Sequence, residues 1–210
     1  MATPPPAELV IYCNCMERVK HHMRIIEGAL SGSVVLPSHL DRETLLIETV
    51  FLHLRKALEE IAFASLTANR EKYAAARPNY ARDWSAAGIF KAIDKFNPHF
   101  YPLPLKEPTE TAPGQKHFER MNDAYLTKAD FELLYGVTSD IIHAPNPFSP
   151  PGPTPTHLTV HEWMTRIGRL LTWHLMQIPD VQGLWLIHAP SDGPCQAFLA
   201  SSDGEFIVER

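Results

Sequence analysis

The densest set of side chains capable of chemistry lies between residues 135 and 148 of the 210-residue chain. Tyr135, Ser139 and His143 recur at intervals of four, so a helix presents their two hydroxyl groups and imidazole on adjoining positions. A proline-framed turn then presents the amide of Asn146. This face suits a polar ligand, with His143 as a general base. The alternative is a structural helix end, in which His143 interacts with the helix dipole and Asn146 bonds within its own turn.

A second candidate is the pair Arg169 and His174, separated by five positions. An arginine stabilises phosphate charge and a histidine exchanges a proton, so the pair suits cleavage of a phosphodiester. The surrounding pattern predicts a helix over 159–177, on which the two side chains point about 140° apart. The helical geometry favours a core histidine on the apolar stripe beside an unrelated arginine on the solvent side.

Arg55 is a third candidate, because Glu48 and Glu59 lie seven and four positions from it in a long helical pattern. Packed inside the protein, these residues form a charge network, and Arg55 is then placed to bind an anion or stabilise phosphate charge. Exposed to solvent, they form an ordinary charged face, which is the commoner arrangement for such residues.

Cys13, Cys15, His21 and His22 offer thiolate and imidazole ligands of the kinds that bind zinc. Cys15 and His22 share a helix face, whereas Cys13 and Cys15 lie about 200° apart, so zinc would need further ligands from elsewhere. The alternative is small buried thiols and a solvated basic helix end, and we expect no metal or other cofactor. With Cys195 the cysteines number three, which is typical of free thiols in a reducing cytoplasm.

The composition argues against several protein classes. With 45% hydrophobic residues, 20% charged residues and a net charge of −5, the chain is too apolar and too weakly charged to be disordered. The sequence has no basic stripe of the kind that binds DNA. No segment has the roughly 20 apolar residues of a membrane span, and the start of the chain lacks signal-peptide features. Phosphate-loop, serine-hydrolase and metalloprotease motifs are absent. We therefore expect a cytoplasmic protein outside the membrane.

Apolar residues recurring every three or four positions predict five helices, separated by clusters of the 19 prolines. The helices are expected at 8–30, 41–68, 85–96, 127–143 and 159–177. The second carries two adjacent apolar stripes, which is typical of the central helix of a bundle. Asp83 is the expected cap of the third, and capping boxes that begin at Thr127 and Thr159 open the last two.

Residues 98–126 form a stretch without helical pattern that is too long for a structureless loop in a compact domain. Two short strands, at 99–105 and 117–121, are predicted there. A turn at Pro113-Gly114 is expected between them.

The hydrophobic period changes near the end of the chain from that of a helix to that of strands. Runs at 184–187, 195–199 and 205–208 are separated by Asp-Gly dipeptides, which favour hairpin turns. The predicted fold is mainly α, in the α+β class. A bundle of about five helices (1–180) carries a small C-terminal antiparallel β-meander (181–210), packed on it as one structural unit.

Two segments carry a resemblance to known proteins. The second predicted helix contains LHLRKALEEIAF at 52–63, and the fourth ends in SDIIH at 139–143. This organisation resembles HEPN-like all-α domains. The His-x-x-Asn-Pro-Phe turn at 143–148 is similar to a turn in a set of uncharacterised bacterial proteins. The resemblance covers residues 8–178.

The resemblance implies a helical bundle that often dimerises and, in some members, a metal-independent RNA-cleaving site. His143 matches the histidine of the late helix, but no arginine lies in the turn before it, where Gly136, Val137 and Thr138 stand. Arg169-x4-His174 matches the spacing of HEPN ribonucleases but lacks the polar residue that usually follows the arginine. Many HEPN-like domains bind or dock partners without catalysis.

We therefore expect a cytoplasmic bacterial binding or interaction module with an unknown ligand. The resemblance alone suggests a homodimer, a protein or RNA partner and a defence or stress context. The first alternative is a HEPN-type endoribonuclease, with catalytic roles for His143, Arg169 and His174. The second is a zinc-binding protein. The five candidate ligand-binding residues are Arg55, Tyr135, Ser139, His143 and Asn146.

Overall fold

The computed structural model describes residues 6–33, 41–144, 148, 156–178 and 184–200. These residues form a mixed α+β fold with a four-stranded antiparallel sheet and a separate two-stranded sheet. The predicted combination of a helical bundle with a small antiparallel sheet is confirmed.

Six α-helices account for most of the described chain. They are α1 (Ala7–Leu30), α2 (Arg42–Ala68), α3 (Arg70–Ala76), α4 (Ala86–Ile93), α5 (Lys128–Ile142) and α6 (Val160–Leu171). The predicted boundaries of α1, α2 and α5 are confirmed to within one residue, because periodicity and end signals agree there. None of the described helices is long and apolar enough to cross a membrane.

The central position predicted for the second helix is confirmed, since α1, α4 and α5 all pack against α2. Leu54, Leu58 and Ile61 on α2 are completely buried. Asp41 caps the helix, because its carboxylate accepts hydrogen bonds from the backbone N–H groups of the first turn. A helix covered on several sides needs the two adjacent apolar stripes that its sequence shows.

The third predicted helix is shorter than expected and has another cap. Ser85 Oγ accepts the Gly88 backbone N–H at 3.4 Å and so caps α4. The predicted cap, Asp83, instead accepts hydrogen bonds from Tyr73 and Arg77. α3 was not predicted; it begins where the Asn69 side chain donates to the Ser65 carbonyl and interrupts α2.

The last part of the fifth predicted helix, residues 172–177, is not helical. α6 ends at Leu171, and β4 (Trp173–Gln177) follows after a single residue. β4 pairs along its whole length with β5 (Leu184–His188) in antiparallel register. Pairing with a distant strand supplies backbone hydrogen bonds that outweigh the local helical pattern.

The larger sheet has the strand order β1-β4-β5-β6, where β1 is Leu103–Pro104 and β6 is Gln196–Ala200. Two of the three predicted C-terminal strands are confirmed as β5 and β6. The third, at 205–208, lies outside the described residues. β4 precedes residue 181, so the sheet draws strands from both sides of that predicted boundary.

The smaller sheet is the hairpin of β2 (Thr109–Ala112) and β3 (Gln115–His117). The predicted turn at Pro113-Gly114 is confirmed, and Gly114 has a φ of 78°, which favours glycine. The flanking strands lie closer to the turn than predicted. Of the predicted strand at 99–105, only Leu103–Pro104 forms a strand, β1, and it pairs with β4. The predicted pairing with 117–121 is reduced to one bridge between Leu105 and Arg120.

Helices and the larger sheet share one core. Tyr12 of α1 is completely buried and lies edge-on to Trp185 of β5, with ring centroids 5.8 Å apart. Trp163 of α6 and Met176 of β4 belong to the same buried cluster. The sheet therefore fixes one side of α1 and α6, which is where the site described below is formed.

Candidate functional site

Arg55 of α2 lies against Tyr135 and Ser139 of α5. The sequence indicated Arg55 as one candidate site and the α5 pair as another. Its Nη2 donates to the Tyr135 hydroxyl at 2.7 Å. Its Nη1 donates to Ser139 Oγ, and its Nε donates to Glu59 Oε1 at 3.1 Å. The guanidinium carbon is 4.1 Å from the centroid of the Tyr135 ring, within range of a cation–π interaction.

This cluster fastens two helices together. Arg55 is only 8% exposed, and each of its three side-chain nitrogens donates to a protein group. An anion would have to displace those acceptors to reach the guanidinium. A buried arginine whose three nitrogens all donate to protein groups is typical of a structural contact, here between α2 and α5.

The other predicted ligand-binding residues lie apart from this contact or outside it. His143 is exposed at the C-terminal end of α5, where its backbone N–H donates to the Ser139 carbonyl at 3.1 Å. Glu48 is exposed on α2. Asn146 lies outside the described residues. The structure therefore brings together Arg55, Tyr135 and Ser139, whereas the His143 imidazole forms no hydrogen bond with any of these three side chains.

Arg169 and His174 do not share a surface. Arg169 is exposed on α6, whereas His174 is completely buried in β4. The Leu171 carbonyl can only accept, so His174 Nδ1 carries the proton it donates there at 2.9 Å. Nε2 then accepts from the Tyr12 hydroxyl at 2.7 Å. Burial lowers the pKa of His174 to about 4, so the ring is neutral at pH 7.

The predicted zinc ligands point to different surroundings. Cys15 is buried, His21 is exposed, and Cys13 interacts with Cys195, which directly precedes β6. His22 Nδ1 lies 3.0 Å from His53 Nδ1, and burial lowers the pKa of His22 to about 4. Within the described parts of the chain, no three His, Cys, Asp or Glu side chains converge to hold a metal ion.

A cleft of about 580 Å³ lies between α1, α6 and the turn that joins β5 to β6. Pockets for small molecules commonly have volumes of roughly 300 to 1,000 Å³. Its apolar lining includes Met16, Val19, Met23, Met164, Ile167 and Leu171. Three of these are methionines, whose flexible thioether side chains adapt to varied apolar ligands.

Charged residues line the cleft beside this apolar surface. Lys20 is held by Glu17 at 2.7 Å and by the Gly193 carbonyl at 2.6 Å. Arg24 is exposed, and its Nη2 donates to the Ser191 carbonyl at 2.9 Å. Arg24 forms no ion pair with any described residue, so the rest of its guanidinium can contact a ligand.

Gly168 of α6 keeps part of the cleft open. A Cβ atom built on Gly168 would meet nothing within 4 Å. Sequence reasoning missed this site because its walls come from α1, α6 and the β5–β6 turn, which are far apart in the chain. The only local signals are Met16 and Met23, seven positions apart on α1, and a glycine inside an amphipathic helix.

No protein-family model matches the chain, and comparisons with curated proteins and with solved structures give no significant match. Its function is therefore inferred from its own geometry. The Arg55 nitrogens all donate within a contact between helices, whereas the cleft combines an open apolar volume with Arg24, which forms no ion pair with a described residue.

Proposed function

We propose that this protein is a binding module that holds an amphipathic anion in the cleft between α1 and α6. The observation that carries the proposal is an open apolar volume of about 580 Å³ with Arg24 beside it. Apolar walls with a few placed polar groups are the usual form of a small-molecule site. The ligand's apolar part would contact the methionines, and its anionic group would face Arg24.

The charges around the cleft favour an anion over a cation. Glu17 neutralises Lys20 directly, with an N–O distance of 2.7 Å. The other two charged residues that line the cleft are Arg24 and Glu27. Of these two, Arg24 extends to the opposite wall, where it donates to the Ser191 carbonyl. An arginine at that wall can form charge-assisted hydrogen bonds with a carboxylate or phosphate.

Binding is better supported than RNA cleavage. Cleavage by the predicted residues needs a free guanidinium beside an accessible imidazole. Arg55 donates from all its nitrogens to protein groups, and Arg169 is exposed whereas His174 is buried. We also propose that the protein forms a homodimer, as the HEPN-like resemblance implies. Native mass spectrometry tests this, because a dimer has twice the mass of one chain.

Filling the cleft is expected to block binding. In Gly168→Leu the new side chain enters open space within the cleft and competes with the ligand. We expect decanoate, used as the probe, to bind the wild type, and this variant to bind it at least about tenfold more weakly, or about 1.4 kcal/mol. Isothermal titration calorimetry measures both affinities.

Gly136→Leu is the matched control. Gly136 is also a helical glycine whose added Cβ meets nothing within 4 Å, but it lies on α5, away from the cleft. Replacing either glycine should stabilise its helix by about 0.5–1 kcal/mol, so altered folding cannot produce a difference between the variants. Equal decanoate affinity in the two variants, or no binding by the wild type, would contradict the proposal.

The role of Arg24 is tested by removing charge from either partner. Arg24→Gln should weaken decanoate binding by about fivefold or less, since exposed ion pairs contribute up to about 1 kcal/mol. Decanol, which lacks the charge, should bind the wild type and this variant equally. Arg169→Gln removes an exposed arginine from α6 outside the cleft lining and should change neither affinity.

A further inference from the structure

A partly buried hydrogen-bond network joins the turn before β6 to α1. Glu17 Oε1 accepts the Cys195 backbone N–H at 2.6 Å and Lys20 Nζ at 2.7 Å. Lys20 Nζ also donates to the Gly193 carbonyl at 2.6 Å. Cys13 lies one helical turn before Glu17 on the same face of α1, so the bond from the Cys195 backbone to Glu17 places Cys195 near Cys13. The two cysteines also perturb each other's pKa.

The two thiols differ in their readiness to ionise. The interaction between the two thiols lowers the pKa of Cys13 and raises that of Cys195. These opposite pKa shifts favour Cys13 over Cys195 as the thiol that ionises first. Both side chains are half-buried, whereas Cys15 is buried and burial raises its pKa to about 12. A thiolate is the reactive form of cysteine, which distinguishes Cys13 from Cys15.

We propose that Cys13 and Cys195 are a redox modification site, at which a hydroperoxide converts the two thiols into a reversible disulfide. The Cys13 thiolate attacks the O–O bond of the peroxide, so an S–O bond forms and, for hydrogen peroxide, the leaving hydroxide is protonated to water. The Cys195 sulfur then attacks the Cys13 sulfenic acid. The S–S bond forms as the S–O bond breaks, and the Cys195 proton leaves with the hydroxyl as a second water.

This disulfide would join two elements that line the cleft. Met16 and Lys20 of α1 and Ser191 of the β5–β6 turn all line the cleft. A covalent bond between α1 and Cys195 would restrict the separation of these two walls. An effect on ligand affinity rests on the proposed function, whereas the formation of the disulfide does not.

The test treats the 210-residue chain with hydrogen peroxide and measures its mass without digestion. We expect the wild type to lose the mass of two hydrogen atoms, to gain no oxygen, and to return to its starting mass with a thiol reductant. Cys195→Ser should instead stop at a sulfenic acid on Cys13, which dimedone traps. Cys13→Ser should form no intramolecular disulfide.

Cys15→Ser is the matched control, because it removes a neighbouring thiol from the same helix. It should form the disulfide as the wild type does, and its peptide map should then contain Cys13 joined to Cys195. A disulfide that is lost in Cys15→Ser would overturn the proposal. So would a disulfide between two chains, or a wild type that accumulates sulfinic acid on Cys13 without cross-linking.

Discussion

Replacing Arg55 with leucine lowers the free energy of unfolding by about 3 kcal/mol, in the range observed when one partner of a buried ionic contact is removed. The substitution leaves the Tyr135 hydroxyl, Ser139 Oγ and Glu59 without the donor that joins them across α2 and α5. It also removes the cation over the Tyr135 ring. Urea denaturation followed by circular dichroism measures the change.

Lys56→Leu is the control for Arg55→Leu, because it makes the same loss of charge at the exposed neighbouring position of α2. Its effect should stay within about 0.5 kcal/mol. Tyr135→Phe combined with Arg55→Leu should be less destabilising than the sum of the two, since both remove the same hydrogen bond. If Arg55→Leu costs no more stability than Lys56→Leu, the structural role of Arg55 is wrong.

Acid is expected to destabilise the protein through His174. The unfolded chain binds a proton at this ring near pH 6.5, whereas burial lowers the folded pKa to about 4. Above pH 6.5 the ring is neutral in both states and has no effect on the pH dependence. As the pH falls from 6.5 to about 4, the unfolded state binds the proton first, so stability falls by about 3 kcal/mol from this group.

His174→Gln isolates that contribution. A glutamine oxygen can accept the Tyr12 hydroxyl in place of Nε2, and the side chain does not titrate. Unfolding free energies measured from pH 7 to pH 4 should fall less steeply for the variant than for the wild type, by about 3 kcal/mol over the range. His22 and His53 are present in both proteins and cancel in the comparison. Parallel curves would contradict the burial of a neutral His174.

Local signals predicted the helices that position the site. The capping boxes at Thr127 with Asp130 and at Thr159 with Glu162 are both confirmed by reciprocal hydrogen bonds. They predict where α5 and α6 begin because a cap involves residues only three apart. The end of α6 was not predictable in this way. The apolar run of β4 fits a helix as well as a strand, and its pairing with β5 depends on residues outside any local window.

Only part of the chemistry could be read from the sequence. Helical spacing placed Tyr135 and Ser139 on one face of α5, but it gave no sign that Arg55, some 80 positions earlier, donates to both. That contact depends on how α2 and α5 pack. The cleft depends still more on tertiary packing, because its walls come from α1, α6 and a turn of the sheet.

Binding in the cleft is tested most directly by NMR of protein labelled at the methionine methyl groups, titrated with decanoate. Met16, Met23 and Met164 line the cleft, whereas Met121 and Met176 lie elsewhere and serve as internal controls. We expect saturable shifts of the three cleft signals and little change in the other two. Shifts confined to Met121 or Met176, or no saturable shift of the three cleft methionines, would contradict binding at this site.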